Sequence, residues 1–108
     1  MDDLLAKFVP QFVELARSRV AVALSAAAQY DQAATTKVAR DLHTLAGEAG
    51  LLGLSEVAPL ARDCELKAKR LHASHTDAEV EGLVAALRQL AQLIEGIGAA
   101  SPREGGSA

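Results

Sequence analysis

Apolar residues recur three and four positions apart along nearly the whole chain, and no segment alternates apolar with polar residues. The first pattern stacks side chains on one face of a helix, and the missing period of two removes the strand as an alternative. Leu5, Phe8, Phe12, Leu15 and Ala16 share one face of a first stretch spanning 3–29, with Pro10 inside it. Pro10 is expected to separate a short N-terminal helix from a longer one, or to kink a single helix. Asp31 is a candidate N-cap for a second helix, whose face is Val38, Leu42, Leu45, Ala49 and Leu52. That helix is expected to run to 51 or 52 and stop at Gly53. Ser55 is expected to cap a third helix over 56–72, with Pro59 in its first turn and a stripe of Val57, Leu60, Cys64, Ala68 and Leu71. Thr76-Asp77-Ala78-Glu79 has the form of a capping box. It opens a fourth helix through Val80, Leu83, Val84, Leu87, Leu90, Ile94 and Ile97, with Gly98 as its end. The expected fold is all-α: an antiparallel up-down four-helix bundle over 1–98 with a short or kinked N-terminal helix, and a flexible tail over 99–108.

Composition narrows what such a bundle does. At 108 residues the chain is one domain. Its aromatics are Phe8, Phe12 and Tyr30, so the core is built from Leu, Val and Ala, and Phe8 and Phe12 are expected to join it. If Pro10 tilts the first helix, one of the two borders the second helix's exposed face. The net charge of −3 argues against a nucleic-acid footprint. No apolar run approaches the roughly 20 residues of a membrane span. The acidic start, Met1-Asp2-Asp3, is unlike a signal peptide. A lone Cys64 fits a reducing, cytoplasmic setting and reads as a small buried hydrophobe. His72 and His75 form an H-x-x-H pair with no third ligand in view, so both are expected to be solvated and no metal site is assigned. Glu65–Lys69 and Asp63–Lys67 have favourable i,i+4 order and are read as surface pairs.

The chemistry concentrates in residues 40–53, RDLHTLAGEAGLLG. With the core face centred between Leu42 and Leu45, His43 points about 130° away, toward water. Thr36, Ala39, Gly47 and Gly50 fall in the same sector. Each interior glycine costs roughly 0.5–1 kcal/mol relative to Ala, so two of them beside one histidine suggest that something bulky approaches the ring. A plainer alternative is that they allow close helix packing or begin the helix end. Leu51 falls on the polar side as an exposed apolar contact.

These residues resemble the histidine phosphotransfer (HPt) domain, whose pattern is roughly His-x-Leu-Lys-Gly-x-x-x-x-Leu-Gly. His43, Leu45, Gly47, Leu52 and Gly53 match it, and the likeness covers essentially 3–98. The resemblance implies that His43 carries a phosphoryl group between receiver-domain aspartates, through Nε2, in a two-component phosphorelay. It also implies a monomeric carrier with no kinase activity and no cofactor of its own, since the receiver supplies the acidic pocket, a lysine and Mg²⁺. Receiver domains and a histidine kinase are the implied partners, docking on Ala39, Arg40, Ala46, Gly47 and Gly50. Ala46 departs from the pattern, which has Lys there to assist the phosphoryl group; Arg40, Lys67 and Lys69 are candidates to replace that charge. Two alternatives stand beside this reading: a non-catalytic module that binds a receiver or kinase, and the N-terminal phosphoacceptor domain of a larger kinase. An enzyme with its own pocket fits least.

Overall fold

A computed structural model describes residues 3–29, 32–74 and 76–100. The described residues form helices α1 (Asp3–Ala6), α2 (Val9–Gln29), α3 (Gln32–Leu51), α4 (Val57–Ser74) and α5 (Asp77–Ala100), with no strand among them. The short α1 turns through Lys7 and Phe8 into α2, so the break expected at Pro10 separates two helices rather than kinking one. Pro10 is the second residue of α2, where its missing N–H is tolerated.

The four long helices pack in cyclic order: α2 against α3 and α5, and α4 against α3 and α5. Neighbours run in opposite directions. His43 on α3 meets Glu65 on α4, and the earlier Thr35 meets the later His72. The bundle is 46 Å long and 25 by 19 Å across. Its core is aliphatic, with Leu42, Leu45, Leu71, Leu83, Leu87, Leu90 and Ile94 almost completely buried. The buried stripe of α2 is Val9, Phe12, Val13, Ala16, Val20, Ala23 and Ala27. Phe12 joins the core as expected, but Phe8 is half exposed and Leu15 is 45% exposed. The turn at residues 7 and 8 takes Phe8 out of the helical register, and the buried stripe passes through Val13 rather than Leu15. Arg17 ties α2 to α5 through Glu95 at 2.6 Å, and Arg19 ties α2 to α3 through Glu48 at 2.6 Å.

The helix ends are set by backbone hydrogen bonds. Gly53 takes a φ of 74°, a conformation that favours glycine. Its N–H donates to the Gly50 carbonyl, and Leu54 N–H donates to the Ala49 carbonyl, which closes α3 in a Schellman arrangement. The start of α4 departs from expectation: the Leu54 carbonyl accepts both the Val57 and Ala58 amides, and the helix begins at Val57 beyond Ser55. The cap of α5 is as expected, with Glu79 N–H donating to Thr76 Oγ1 at 3.1 Å. Helix α5 continues past Gly98 to Ala100. Gly98 instead allows close approach: a Cβ there would lie 3.0 Å from Arg17 Nη2 and 3.1 Å from Val13 Cγ1. The Asp31 cap, Tyr30, His75 and residues 101–108 of the expected tail lie outside the described residues. By length and composition alone α5 is apolar enough to cross a membrane, but in the bundle Leu83, Leu87, Leu90 and Ile94 face the core.

Cys64 is fully buried on α4, as its place in the apolar stripe suggested. Burial, and then the charge of Asp63, push its thiol up to about 12. The unfolded chain ionises this thiol at a lower pH, so the group subtracts stability as pH rises above the ordinary thiol range. At pH 8, alkylation of the folded protein is expected to run about 10³-fold slower than of the unfolded chain. Rapid native labelling, followed by mass spectrometry, would show that α4 does not pack as described.

Candidate functional site

His43 projects from the middle of α3, with 77% of its side chain exposed. It stands outside the core because Leu42, Leu45 and Ala49 occupy the face turned inward. The ring is nevertheless held. Its Nδ1 lies 3.2 Å from both carboxylate oxygens of Glu65 on α4. Lys69, one turn further along α4, donates to Glu65 Oε2 at 3.0 Å. Glu65 is buried, with its side chain only 12% exposed. Burial pushes its carboxyl up, but hydrogen bonds and charge from Lys69 and His43 outweigh this and hold it below the usual carboxylate range.

An ionised carboxylate only accepts hydrogen bonds, so the Nδ1 facing it carries the proton. In the neutral ring the lone pair then resides on Nε2, at the solvent edge. The contact fixes both the tautomer and the ring orientation of an exposed histidine. Glu65 contributes to the site across the helix pair and does not simply decorate α4, as i,i+4 spacing alone suggested. A signal for it exists in the sequence: Ala58, Ala61, Glu65, Ala68 and His72 follow at spacings of three and four. Glu65 is the acid in a stripe of small residues that packs against α3.

Gly47 and Gly50 are exposed, and a Cβ at either would meet nothing within 4 Å. The packing explanation for these glycines therefore fails, and they leave open surface beside the ring. Ala39 and Ala46, both in the expected docking surface and Ala39 also in the exposed sector of the helical wheel, are buried at 9% and 2% exposure. The wheel counted one core direction, whereas α3 packs against both α2 and α4. Its buried arc therefore extends to the α4 side of His43, where Ala39 and Ala46 sit. Leu51 is 72% exposed, as expected.

Two grooves flank this strip. On the α4 side, a groove of about 490 Å³ has Ala39 in its lining, together with the polar or charged residues Thr36, Arg40, His43, Glu65 and Lys69. At its far end, His72 Nδ1 lies 3.2 Å from the hydroxyl of Thr35, so His72 is engaged in the bundle rather than free in a loop. On the α2 side, a mainly apolar groove of about 390 Å³ is lined by Leu5, Phe8, Phe12, Leu15, Leu51 and Leu52, with Gln11 and Glu48 at its polar part. Phe8 thus lines a groove bordered by the C-terminal end of α3. Of the cations considered near the ring, Lys67 is held by Asp63 at 3.1 Å and Lys69 by Glu65. Among the described residues, no three His, Cys, Asp or Glu side chains gather to hold a metal ion.

No curated protein and no solved structure matches the chain significantly. A family model, described as the Hpt domain, matches residues 7–100. That span includes all four long helices in full, leaving out only α1, and it contains His43, Glu65 and both glycines. The all-helical bundle agrees with the family's architecture, and the chain belongs to the Hpt domain family.

Proposed function

We propose that this Hpt domain carries a phosphoryl group on Nε2 of His43, exchanging it with aspartates of receiver domains in a two-component phosphorelay. Family membership supports phosphotransfer in such relays. The observation that carries the specific reading is the pair of 3.2 Å contacts between Glu65 and His43 Nδ1. They direct the nucleophilic lone pair outward on an otherwise open surface.

In the forward step, the Nε2 lone pair attacks phosphorus of the receiver's phosphoaspartate. The N–P bond forms as the P–O bond to the aspartyl oxygen breaks, and the aspartate leaves as a carboxylate. Nδ1 keeps its proton, so positive charge develops on the ring. The Glu65 carboxylate, at hydrogen-bond distance, stabilises that charge. Reversal returns the phosphoryl group and restores the neutral ring. Phosphoryl transfer depends mainly on positioning and charge neutralisation, and the bundle supplies the oriented ring. We assign the acidic pocket and its Mg²⁺ to the receiver. The chain acts as a carrier without kinase activity, as a monomer in the cytoplasm.

With Ala39 and Ala46 buried, our proposed docking surface is His43, Arg40, Gly47, Gly50 and Leu51, continuing into the groove at Phe8 and Leu15. Incubation with phosphorylated receiver domains is expected to give an acid-labile, alkali-stable label, as an N–P bond requires. Binding without any label across a panel of receivers would select a non-catalytic module instead. Gly47→Gln is expected to preserve the fold, since nothing lies within 4 Å of an added Cβ. It is also expected to slow transfer from a receiver at least about tenfold, because a long side chain stands one turn from the ring. Unchanged transfer kinetics in Gly47→Gln would show that the receiver does not approach over α3.

A further inference from the structure

A phosphoryl group on His43 brings about two negative charges to a ring already beside the Glu65 carboxylate. The site therefore needs a cation, and position 46 does not provide one: Ala46 is buried against the core. Three positively charged side chains come into question from the sequence, and the structure separates them. Lys67 is paired with Asp63 and does not line the groove beside His43. Lys69 lines it but is bound to Glu65, so that pair is neutral overall. Arg40 lines the same groove, is exposed, and forms no ion pair among the described residues. Its neighbour Asp41 is held by Lys37 at 2.7 Å and does not compete for it. His72 is also in the groove, engaged with Thr35. Its ring nitrogen Nδ1 is engaged beside Thr35 and Thr36, eight and seven positions before His43 and about 10–12 Å along the helix.

We propose that Arg40 is the phosphoryl-binding residue of this site: its guanidinium, one turn before His43 on the same helix, receives the phosphoryl oxygens once the group is on Nε2. Residues three apart on a helix are neighbours, about 5–6 Å between Cβ atoms, within reach of an arginine. The planar guanidinium presents paired donors that match phosphoryl oxygens. The inference rests on the reading of His43 as phosphoacceptor and adds the group that stabilises the loaded state. It also gives the free arginine a role before transfer, since its field favours approach of a phosphorylated partner.

A small phosphoryl donor tests this without a cognate receiver. With potassium phosphoramidate, Nε2 forms the N–P bond, the donor's P–N bond breaks, and ammonia leaves with that electron pair; Nδ1 keeps its proton. The full chain is labelled as wild type, Arg40→Gln, Arg40→Lys and Lys69→Gln, and ³¹P NMR follows the pH titration of the bound phosphoryl group. Removing a nearby cation favours the protonated phosphoryl group. Arg40→Gln is expected to raise the titration midpoint by about half a pH unit. It is also expected to slow labelling about threefold. Arg40→Lys restores most of both effects. A change that only loosened the helix would not be rescued in this way. An unchanged midpoint in labelled Arg40→Gln overturns the proposal, as does a larger shift in Lys69→Gln than in Arg40→Gln. Absence of label on wild-type His43 overturns the phosphoacceptor reading, and the role of Arg40 with it.

Discussion

His43→Gln is expected to take up no acid-labile phosphate from any phosphorylated receiver, while its helicity and thermal midpoint stay close to wild type. Loss of function should be complete because the amide of Gln has no basic lone pair to attack phosphorus at neutral pH. The small effect on stability follows from the structure. The ring is 77% exposed and, among the described residues, its hydrogen-bond partner is Glu65. Lys69 remains to neutralise that carboxylate after the substitution. Surface changes of this kind usually alter stability by no more than about 0.5 kcal/mol. The check pairs autoradiography of acid- and alkali-treated protein with circular dichroism. Label that persists in His43→Gln would place the acceptor elsewhere. A variant that unfolds would show that the ring supports the bundle.

Glu65→Ala is expected to slow phosphorylation of His43 about 10- to 100-fold, the range for losing a hydrogen bond to a charged group. Two losses contribute. Without the carboxylate the ring samples both tautomers and rotates, so the lone pair is less often on an outward Nε2. The positive charge that develops during attack also loses its nearest counter-charge. Nitrogen NMR of the ring should show the Nδ1–H tautomer in wild type and a mixture in Glu65→Ala. Glu65→Gln, whose amide oxygen still accepts from Nδ1, should keep the tautomer while losing the charge stabilisation. A purely structural role for Glu65 would leave the ring's tautomer unchanged in the Ala variant. The lowered pKa of Glu65 gives the pH dependence a definite sign. The folded state binds the proton more weakly than the unfolded chain. This contribution to stability is therefore present above the ordinary carboxylate range and is lost as pH falls through the lowered folded value. Glu65→Ala should accordingly lose stability relative to wild type near neutral pH, and the difference should shrink in strong acid.

Much of the molecule was legible in the order of its residues. The three-and-four spacing of Leu42, Leu45 and Ala49 identifies α3 and turns His43 outward, because helix geometry is local and repeats every 3.6 residues. Gly53 marks the end of α3 for an equally local reason, the left-handed φ of 74°. The same locality explains the errors. A wheel drawn for one helix places Ala39 in the exposed sector, whereas α4 covers that side. Phe8 looked like core because the turn before α2 breaks the register on which that reading depended.

Helix content, the broad core, the exposure of His43 and the bare strip at Gly47 and Gly50 were therefore set by the sequence alone, through interactions within a few residues of each position. Tertiary structure decided which carboxylate meets the ring and which flanks of α3 are covered, whereas the lysine pairs within α4 follow from i,i+4 spacing. The contacts between α3 and α4 join positions 22 or more residues apart, such as His43 with Glu65. They exist only when α3 and α4 pack antiparallel in one register, and no periodicity within either helix encodes that register by itself.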